Sequence, residues 1–407
     1  MDNLAIVFPG QGSQYSGMGK ELYDKYEYAK MIFDISSEIL NCDIKRICFS
    51  GGDELLRTEV AQPAIFIVSY LQYRWYMDVA GAAPLYLCGH SLGEITALAC
   101  AEAMSFEDAL ATVQIRGRVM QKAEDFGNGG MLAIFGLPKE NIREICAKAS
   151  SWESRVEIAN YNSCEQTVVS GNTEALNAVE ELLDGLGCKC YRLPVRSAFH
   201  SSLMESASLE FHEQLAPFNF KAPNIPVLSS ASLELYTKGG IRPTIASQIV
   251  CPVKWVSAIE YFRAKNIRKI IELGPGSVLK RLNRKICDGI AFLSYDEDLP
   301  EIEKPSKVDV DAAQYFQYLT RSMAIAVSTP NLNSDTSTYN ENVVLPYRKI
   351  KDIVVEMEKS PDKATMDSVI LASKMLDMMF EEKKTPLKER QDRHAQLYAE
   401  TGIRLCC

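Results

Sequence analysis

One run of sequence limits the possible folds of this 407-residue chain more than any other. Leu85-Tyr86-Leu87-Cys88, a short apolar run of strand type, passes through Gly89-His90-Ser91-Leu92-Gly93-Glu94 into the Ala-rich, helical stretch 95–104. Gly-x-Ser-x-Gly between a strand and a helix predicts a turn so tight that only small residues fit beside the serine. The Ser91 hydroxyl is then held out at the helix N-terminus as a nucleophile. Backbone N–H groups at that terminus can stabilise a developing oxyanion. A chain this long shows the bare pattern by chance about one time in seven. The strand–turn–helix setting makes it specific.

The flanking sequence predicts an α/β protein. Leu4–Phe8 reads as a buried strand, followed by the tight loop Pro9-Gly10-Gln11-Gly12-Ser13-Gln14 and helical patterns at 19–40 and 62–79. Strands alternating with helices in this way build a sheet covered by helices. From Gly129 the texture changes. Short strands at 131–137, 156–161, 167–170 and 190–193 alternate with helices at 139–148 and 173–185, the β-α-β-β-α-β order of a ferredoxin-like subdomain. The main domain then resumes with a segment around His200, a strand at 227–228, a helix at 244–249, a strand at 270–273 and Gly274-Pro275-Gly276-Ser277. The expected division is a large domain of residues 1–127 and 197–297, an inserted subdomain of 128–196 and a helical extension of 298–407.

Residues 298–305 are acidic and proline-broken, as in a linker. Beyond them the patterns predict helices at 309–327, 343–358, 364–380 and 386–400, with a polar loop at 328–342. Met366, Val369, Ile370, Leu376 and Phe380 share one face at helical spacing. Such apolar stripes have to be buried, either on the large domain of the same chain or on a partner or second subunit.

Composition excludes several classes. A net charge of −9 argues against nucleic acid as a partner. No run of about 18 apolar residues is present to span a membrane. The N-terminus lacks the basic and apolar regions of a signal peptide, so a cytoplasmic location is expected. The twelve cysteines are scattered, and Cys188-Lys189-Cys190 has the wrong spacing for a redox or zinc pair. They read as reduced thiols, with no metal site. Gly10-Gln11-Gly12 would need a third glycine where Tyr15 stands, and Gly274-Pro275-Gly276 lacks the Lys-Ser/Thr ending of a phosphate loop. No bound cofactor is expected.

A serine nucleophile needs a base, and there are four histidines. His90 sits on the elbow and should leave the turn in another direction. His212 and His394 lie among charged residues and read as surface positions. His200, in Ser197-Ala198-Phe199-His200-Ser201, follows a strand among small and apolar residues, which makes it the candidate base; the alternative is a structural loop histidine. Arg116 is a separate signal. At about 100° per residue on the helix 108–125, it falls in the middle of the face formed by Ala109, Val113, Met120 and Ala123. Arg118 falls on the opposite side with Gln114, Gln121 and Asp125. A guanidinium on an apolar face needs a partner, either a structural Asp or Glu or a substrate carboxylate.

Pro9-Gly10-Gln11-Gly12-Ser13-Gln14, Gln62-Pro63-Ala64, Gly89-His90-Ser91-Leu92-Gly93-Glu94, Arg116-Gly117, Asn160-Tyr161-Asn162-Ser163, Ala198-Phe199-His200-Ser201, Pro252-Val253-Lys254-Trp255 and Gly274-Pro275-Gly276 follow one another in a characteristic order. Residues 1 to about 295 thereby resemble the malonyl-CoA:acyl carrier protein transacylases, a family that includes stand-alone acyltransferases serving polyketide synthases. The resemblance implies an α/β-hydrolase-like large domain with an inserted ferredoxin-like subdomain. It also implies ping-pong acyl transfer from malonyl-CoA to the phosphopantetheine thiol of an acyl carrier protein, with polyketide synthase components as further partners. Residue by residue, it implies Ser91 as nucleophile, His200 as base and the Gln248 backbone carbonyl as the group that orients the histidine. It further implies that the N–H groups of Gln11 and Leu92 form the oxyanion hole. By the same resemblance, Arg116 is expected to pair with the malonyl carboxylate, Phe199 to mark the malonyl-preferring version, and Gln62, Asn160 and His90 to complete the substrate site. Two departures stand out. Ser230 replaces a common Asn, leaving open what supplies its hydrogen bonds, and Cys164 replaces a frequent Pro. Two rival functions remain: an acyl hydrolase clearing carrier proteins, which would have no use for Arg116, and a synthase-docking scaffold acting through the tail.

Overall fold

A computed structural model of the protein describes residues 3–79, 83–126, 128–303, 312–358 and 365–403. They form two compact units, one from within 2–75 and 83–302 and the other from within 76–82 and 303–407.

In the first unit the strands are β1 (Leu4–Phe8), β2 (Tyr86–Gly89), β3 (Gly129–Phe135), β4 (Val156–Tyr161), β5 (Gln166–Asn172), β6 (Cys190–Arg192), β7 (Val227–Leu228), β8 (Lys269–Glu272) and β9 (Ala291–Ser294). Five of them make a parallel sheet in the order β7-β2-β1-β8-β9. Its central strand, β1, is apolar and buried along its whole length, as a strand covered on both faces must be. One covering layer is the helix Trp255–Ala264, whose Trp255, Ala258 and Phe262 pack with Val7, Cys88 and Ile270 of the sheet. Phe8 of β1 lies opposite Gly89 of β2, so the two strands end together at their carboxyl edge, the edge where open parallel sheets bind ligands.

The elbow follows at that edge. A Cβ on Gly89 would fall 1.8 Å from the backbone of Gly93, and one on Gly93 would fall 2.1 Å from the carbonyl oxygen of Phe8. No larger residue fits either position. The helix Gly93–Cys100 is buried at every residue. It is shorter than the expected 95–104, because the chain turns away at Glu102, which has φ 57°.

The remaining four strands form an antiparallel sheet in the order β4-β5-β3-β6, with the helices Lys139–Ala149 and Thr173–Asp184 packed on it through Ile142, Leu176 and Val179. This is the ferredoxin-like order. An irregularity in the β4–β5 register between Ile158 and Asn160 turns Asn160 toward the large domain, where it bridges to Val253.

Several local expectations change. The pattern at 19–40 is two helices, Lys20–Lys25 and Glu27–Leu40, broken where Tyr26 is extended. Part of the expected linker, 298–303, is the end of a helix, Tyr295–Glu303, kinked at Asp298; the rest, 304–305, lies outside the described residues. Asp298 has a structural task, since its carboxylate accepts from Lys280 Nζ at 2.5 Å and from the Ser294 N–H at 2.8 Å.

In the second unit, the helices Ala312–Ser328, Leu345–Glu358, Met366–Glu382 and Leu387–Thr401 bury their stripes on one another. Tyr318, Leu319, Ile350, Val369, Leu376 and Phe380 are in that shared core. Ile370, grouped with this face by spacing, is instead 38% exposed. His394, read as a surface residue, is partly buried and pairs with Asp377 at 2.8 Å while its ring meets Phe380 edge-on. Lys383 Nζ caps the helix Ala312–Ser328 by donating to the carbonyls of Ala326 (2.6 Å) and Thr329 (2.8 Å). This unit therefore has a core of its own. Phe380→Ala is expected to cost it about 3–5 kcal/mol, read as a lowered denaturation midpoint in urea unfolding followed by circular dichroism. A loss below about 1 kcal/mol would show that the four helices do not depend on this core.

Candidate active site

Ser91 stands on the elbow with φ 52°, a left-handed conformation that is uncommon and costly for a residue with a Cβ. Its Oγ lies 2.8 Å from His200 Nε2. His200 is itself left-handed (φ 61°) and only 4% exposed, so its ring position is set from both sides of the site. Nδ1 of the same ring faces two backbone carbonyls, Gln248 at 2.9 Å and Cys251 at 3.0 Å. A carbonyl can only accept, so the proton sits on Nδ1 and Nε2 keeps its lone pair toward the Ser91 hydroxyl. The Cys251 carbonyl is an orienting group that no sequence motif announced.

Arg116, on the helix Phe106–Phe126, is 1% exposed. Nη1 donates to Gln62 Oε1 at 2.7 Å, and Nη2 donates to Gln248 Oε1 at 2.9 Å and to Ser91 Oγ at 3.0 Å. All three acceptors are neutral. Nε is buried with no hydrogen-bond partner among the described residues. The structural carboxylate that could have explained Arg116 is not bonded to it. Burial pushes its pKa down to about 10, against the pull of Glu94, so the group remains a cation near neutral pH. Gly117 allows the close helix crossing that brings Arg116 to Gln62, since a Cβ there would press to 3.0 Å against Glu59 Cα.

The side chain of Gln248 does as much as its backbone. Its amide accepts from Arg116 and donates through Nε2 to the Ser91 carbonyl at 2.7 Å, so one residue orients base, cation and elbow together. Gln62 is fully buried and holds the guanidinium rather than lining the cavity. His90 leaves the turn away from Ser91, as its position on the elbow suggested. Its Nε2 pairs with Asn162 Oδ1 at 2.9 Å and its ring lies 5.5 Å from that of Trp255. Asn162, in turn, donates to Gln166 Oε1 at 2.9 Å. Ser230 answers the question raised by the missing Asn: its N–H and hydroxyl both donate to Glu94 Oε1, at 2.9 and 2.6 Å.

These groups surround a cavity of about 240 Å³ between the two sheets. Ser91, His200, Arg116, Phe199, Asn160 and His90 all line it, with Met131, Val168 and Leu279 supplying apolar wall. Gln11 and Leu92 line it too, and among the described residues neither of their N–H groups donates a hydrogen bond. The arrangement offers a serine with a neutral imidazole at its proton, two unused N–H donors and a buried cation touching the nucleophile. It can perform acyl transfer on an acyl group that carries an anionic end.

Comparison with known proteins follows the same line. An acyl transferase domain model matches residues 5–316. A malonyl CoA-acyl carrier protein transacylase of Bacillus subtilis is 32% identical over 395 residues, covering 96% of this chain and 99% of its own length. One from Escherichia coli K12 is 35% identical over 300 residues, 73% of this chain and 97% of its own. Among solved structures, FabD from Acinetobacter baumannii superposes with a TM-score of 0.70 at 36% identity, over 74% of this chain and 96% of that one. A malonyl-transacylase in complex with a type II polyketide synthase acyl-carrier protein does so with a TM-score of 0.69 at 31% identity, over 72% and 95%.

The buried base sets a pH dependence. Burial, then the nearby charge of Arg116 and the proximity of His90, push the His200 pKa from 6.5 down to about 3, against the pull of the two carbonyls. Between those values the unfolded chain binds a proton that the folded site refuses, so stability rises with pH across that window and is complete above about 6.5. The melting temperature should fall as pH drops below about 6.5, and His200→Gln should remove part of that fall. An unchanged slope in the variant would show that His200 titrates normally in the fold.

Proposed function

This chain belongs to the acyl transferase family, and we propose that it carries a malonyl group from malonyl-CoA to the phosphopantetheine thiol of an acyl carrier protein through an acyl-Ser91 intermediate. His200 Nε2 takes the Ser91 proton as Oγ attacks the thioester carbonyl. The N–H groups of Gln11 and Leu92 receive the negative charge that develops on the carbonyl oxygen. Collapse of the tetrahedral intermediate breaks the C–S bond, and CoA leaves as its thiol with the proton held by His200. The carrier thiol then gives its proton to the same nitrogen, attacks the acyl-serine and regenerates Ser91.

The observation that carries the malonyl assignment is Arg116, a buried cation beside the nucleophile whose partners are all neutral. A malonyl carboxylate supplies the missing opposite charge. Phe199, buried at the cavity wall, narrows the space beside the acyl group. A hydrolase of neutral acyl chains has no use for that cation, and a scaffold has none for the Ser91–His200 pair. The reaction needs no cofactor beyond the CoA thioester and the phosphopantetheine of the carrier. Polyketide synthase components are further partners in this reading, since a polyketide biosynthesis malonyl CoA-acyl carrier protein transacylase from Bacillus subtilis is 37% identical over 286 residues. We place the protein in the cytoplasm, where its free cysteines stay reduced. No helix among the described residues is long and apolar enough to cross a membrane.

Malonyl-CoA without carrier should leave a malonyl adduct on the protein by intact-mass measurement. The adduct should vanish in Ser91→Ala, and its formation should be lost in His200→Ala with the fold retained. Persistence of the adduct in Ser91→Ala would falsify the assignment. Arg116→Ala should lower malonyl transfer by about 100-fold or more while acylation by acetyl-CoA, which has no carboxylate, changes little. Equal losses with both donors would make Arg116 a structural residue instead.

A further inference from the structure

A guanidinium that is 1% exposed needs an opposite charge, and none of its three hydrogen-bond partners carries one. The carboxylate whose charge acts on it is Glu94, on the first turn of the elbow helix, which is 0% exposed. Its N–H donates to the Ser91 carbonyl at 3.0 Å, so its place relative to the nucleophile is fixed by backbone. Both of its carboxylate oxygens are engaged. Oε1 accepts from the Ser230 N–H (2.9 Å) and hydroxyl (2.6 Å), and Oε2 accepts from the Tyr236 hydroxyl. Ser230 and Tyr236 are neutral donors, and Arg116 is not among the groups bonded to Glu94. A buried anion and a buried cation thus lie around one nucleophile, each wrapped in neutral partners. Their attraction is nevertheless felt, because Glu94 works against burial in holding the guanidinium protonated.

We propose that Glu94 is a positioning residue that sets acyl specificity: it is the counter-charge of Arg116, held out of hydrogen-bonding reach by Ser230 and Tyr236 so that the guanidinium stays open to the substrate carboxylate. The proposal rests on the reading of Arg116 as the carboxylate receptor. A glutamate that reached Arg116 directly would close the fork. A missing glutamate would leave the empty site with an uncompensated cation. Caged nearby, Glu94 steadies the cation between turnovers and also repels the malonyl carboxylate, which limits how tightly the acyl group is held. Ser230 contributes two of the three cage bonds, which gives this position a part in specificity although it does not line the cavity.

The test uses the full chain with Glu94→Gln, Arg116→Met and the double variant. Glu94→Gln removes the charge and keeps the shape. It should lower the KM for malonyl-CoA about tenfold, as the loss of a through-space repulsion of about 1.4 kcal/mol does, and leave acetyl-CoA unchanged. In thermal unfolding, each single variant should lose stability, and the double variant should lose less than their sum, as coupled charges do. If Glu94→Gln is insoluble, the double variant should still fold, because both charges are gone. Additive losses, an insoluble double variant or equal changes with both donors in Glu94→Gln would reduce Glu94 to a structural cap and overturn the proposal. Equal losses of malonyl and acetyl transfer in Arg116→Met would instead overturn the underlying reading of Arg116.

Discussion

The site depends on the contact between the elbow and the exit of β1. Gly93 lies against the carbonyl of Phe8, and Gly89 lies against the backbone of Gly93. That backbone-to-backbone packing forces Ser91 into its left-handed conformation and places the loop after β1 beside it. Gln11 and Leu92, distant in sequence, consequently present their N–H groups to one cavity. Preorganised donors of this kind act without reorganising during the reaction. A Cβ at either glycine would separate the two loops and leave serine, histidine and oxyanion donors as unrelated parts.

Around this contact the polar groups are economical. The Gln248 residue touches base, cation and elbow, through its carbonyl, its amide oxygen and its amide nitrogen respectively. Ser91 Oγ has His200 on one side and Arg116 on the other. The nucleophile, its base and the specificity group therefore share hydrogen bonds rather than occupying separate pockets. Because these groups share acceptors, combined substitutions among them will not behave additively.

The sheet of β3 to β6 forms the other wall of the cavity. The register shift at Ile158/Asn160 interrupts the ladder and carries Asn160 to Val253, so a subdomain with its own core still delivers a lining residue. The cavity lies between a rigid parallel sheet that holds the chemistry and a smaller sheet that shapes the space. The four tail helices belong to the second unit and bury a separate core of their own.

Local patterns in the chain were enough to announce the elbow, the strand–helix alternation, the inserted β-α-β-β-α-β unit and the apolar face on which Arg116 sits. These depend on residue size, turn chemistry and periodicity within a dozen or so positions, and such signals survive in one dimension. Element ends were less legible, as the break at Tyr26 and the helix Tyr295–Glu303 show, because packing and side-chain caps decide them. What joined the parts was tertiary. Nothing in the sequence near Arg116 shows that its acceptors are Gln62, Ser91 and Gln248, or that the Cys251 carbonyl shares the histidine proton. Nor does the sequence around Tyr236 show that its hydroxyl reaches Glu94, 142 residues away. Those pairings arise only when strands and helices far apart in the chain are brought to one edge of a sheet, because a hydrogen bond depends on distance and direction in space and leaves no periodicity behind it.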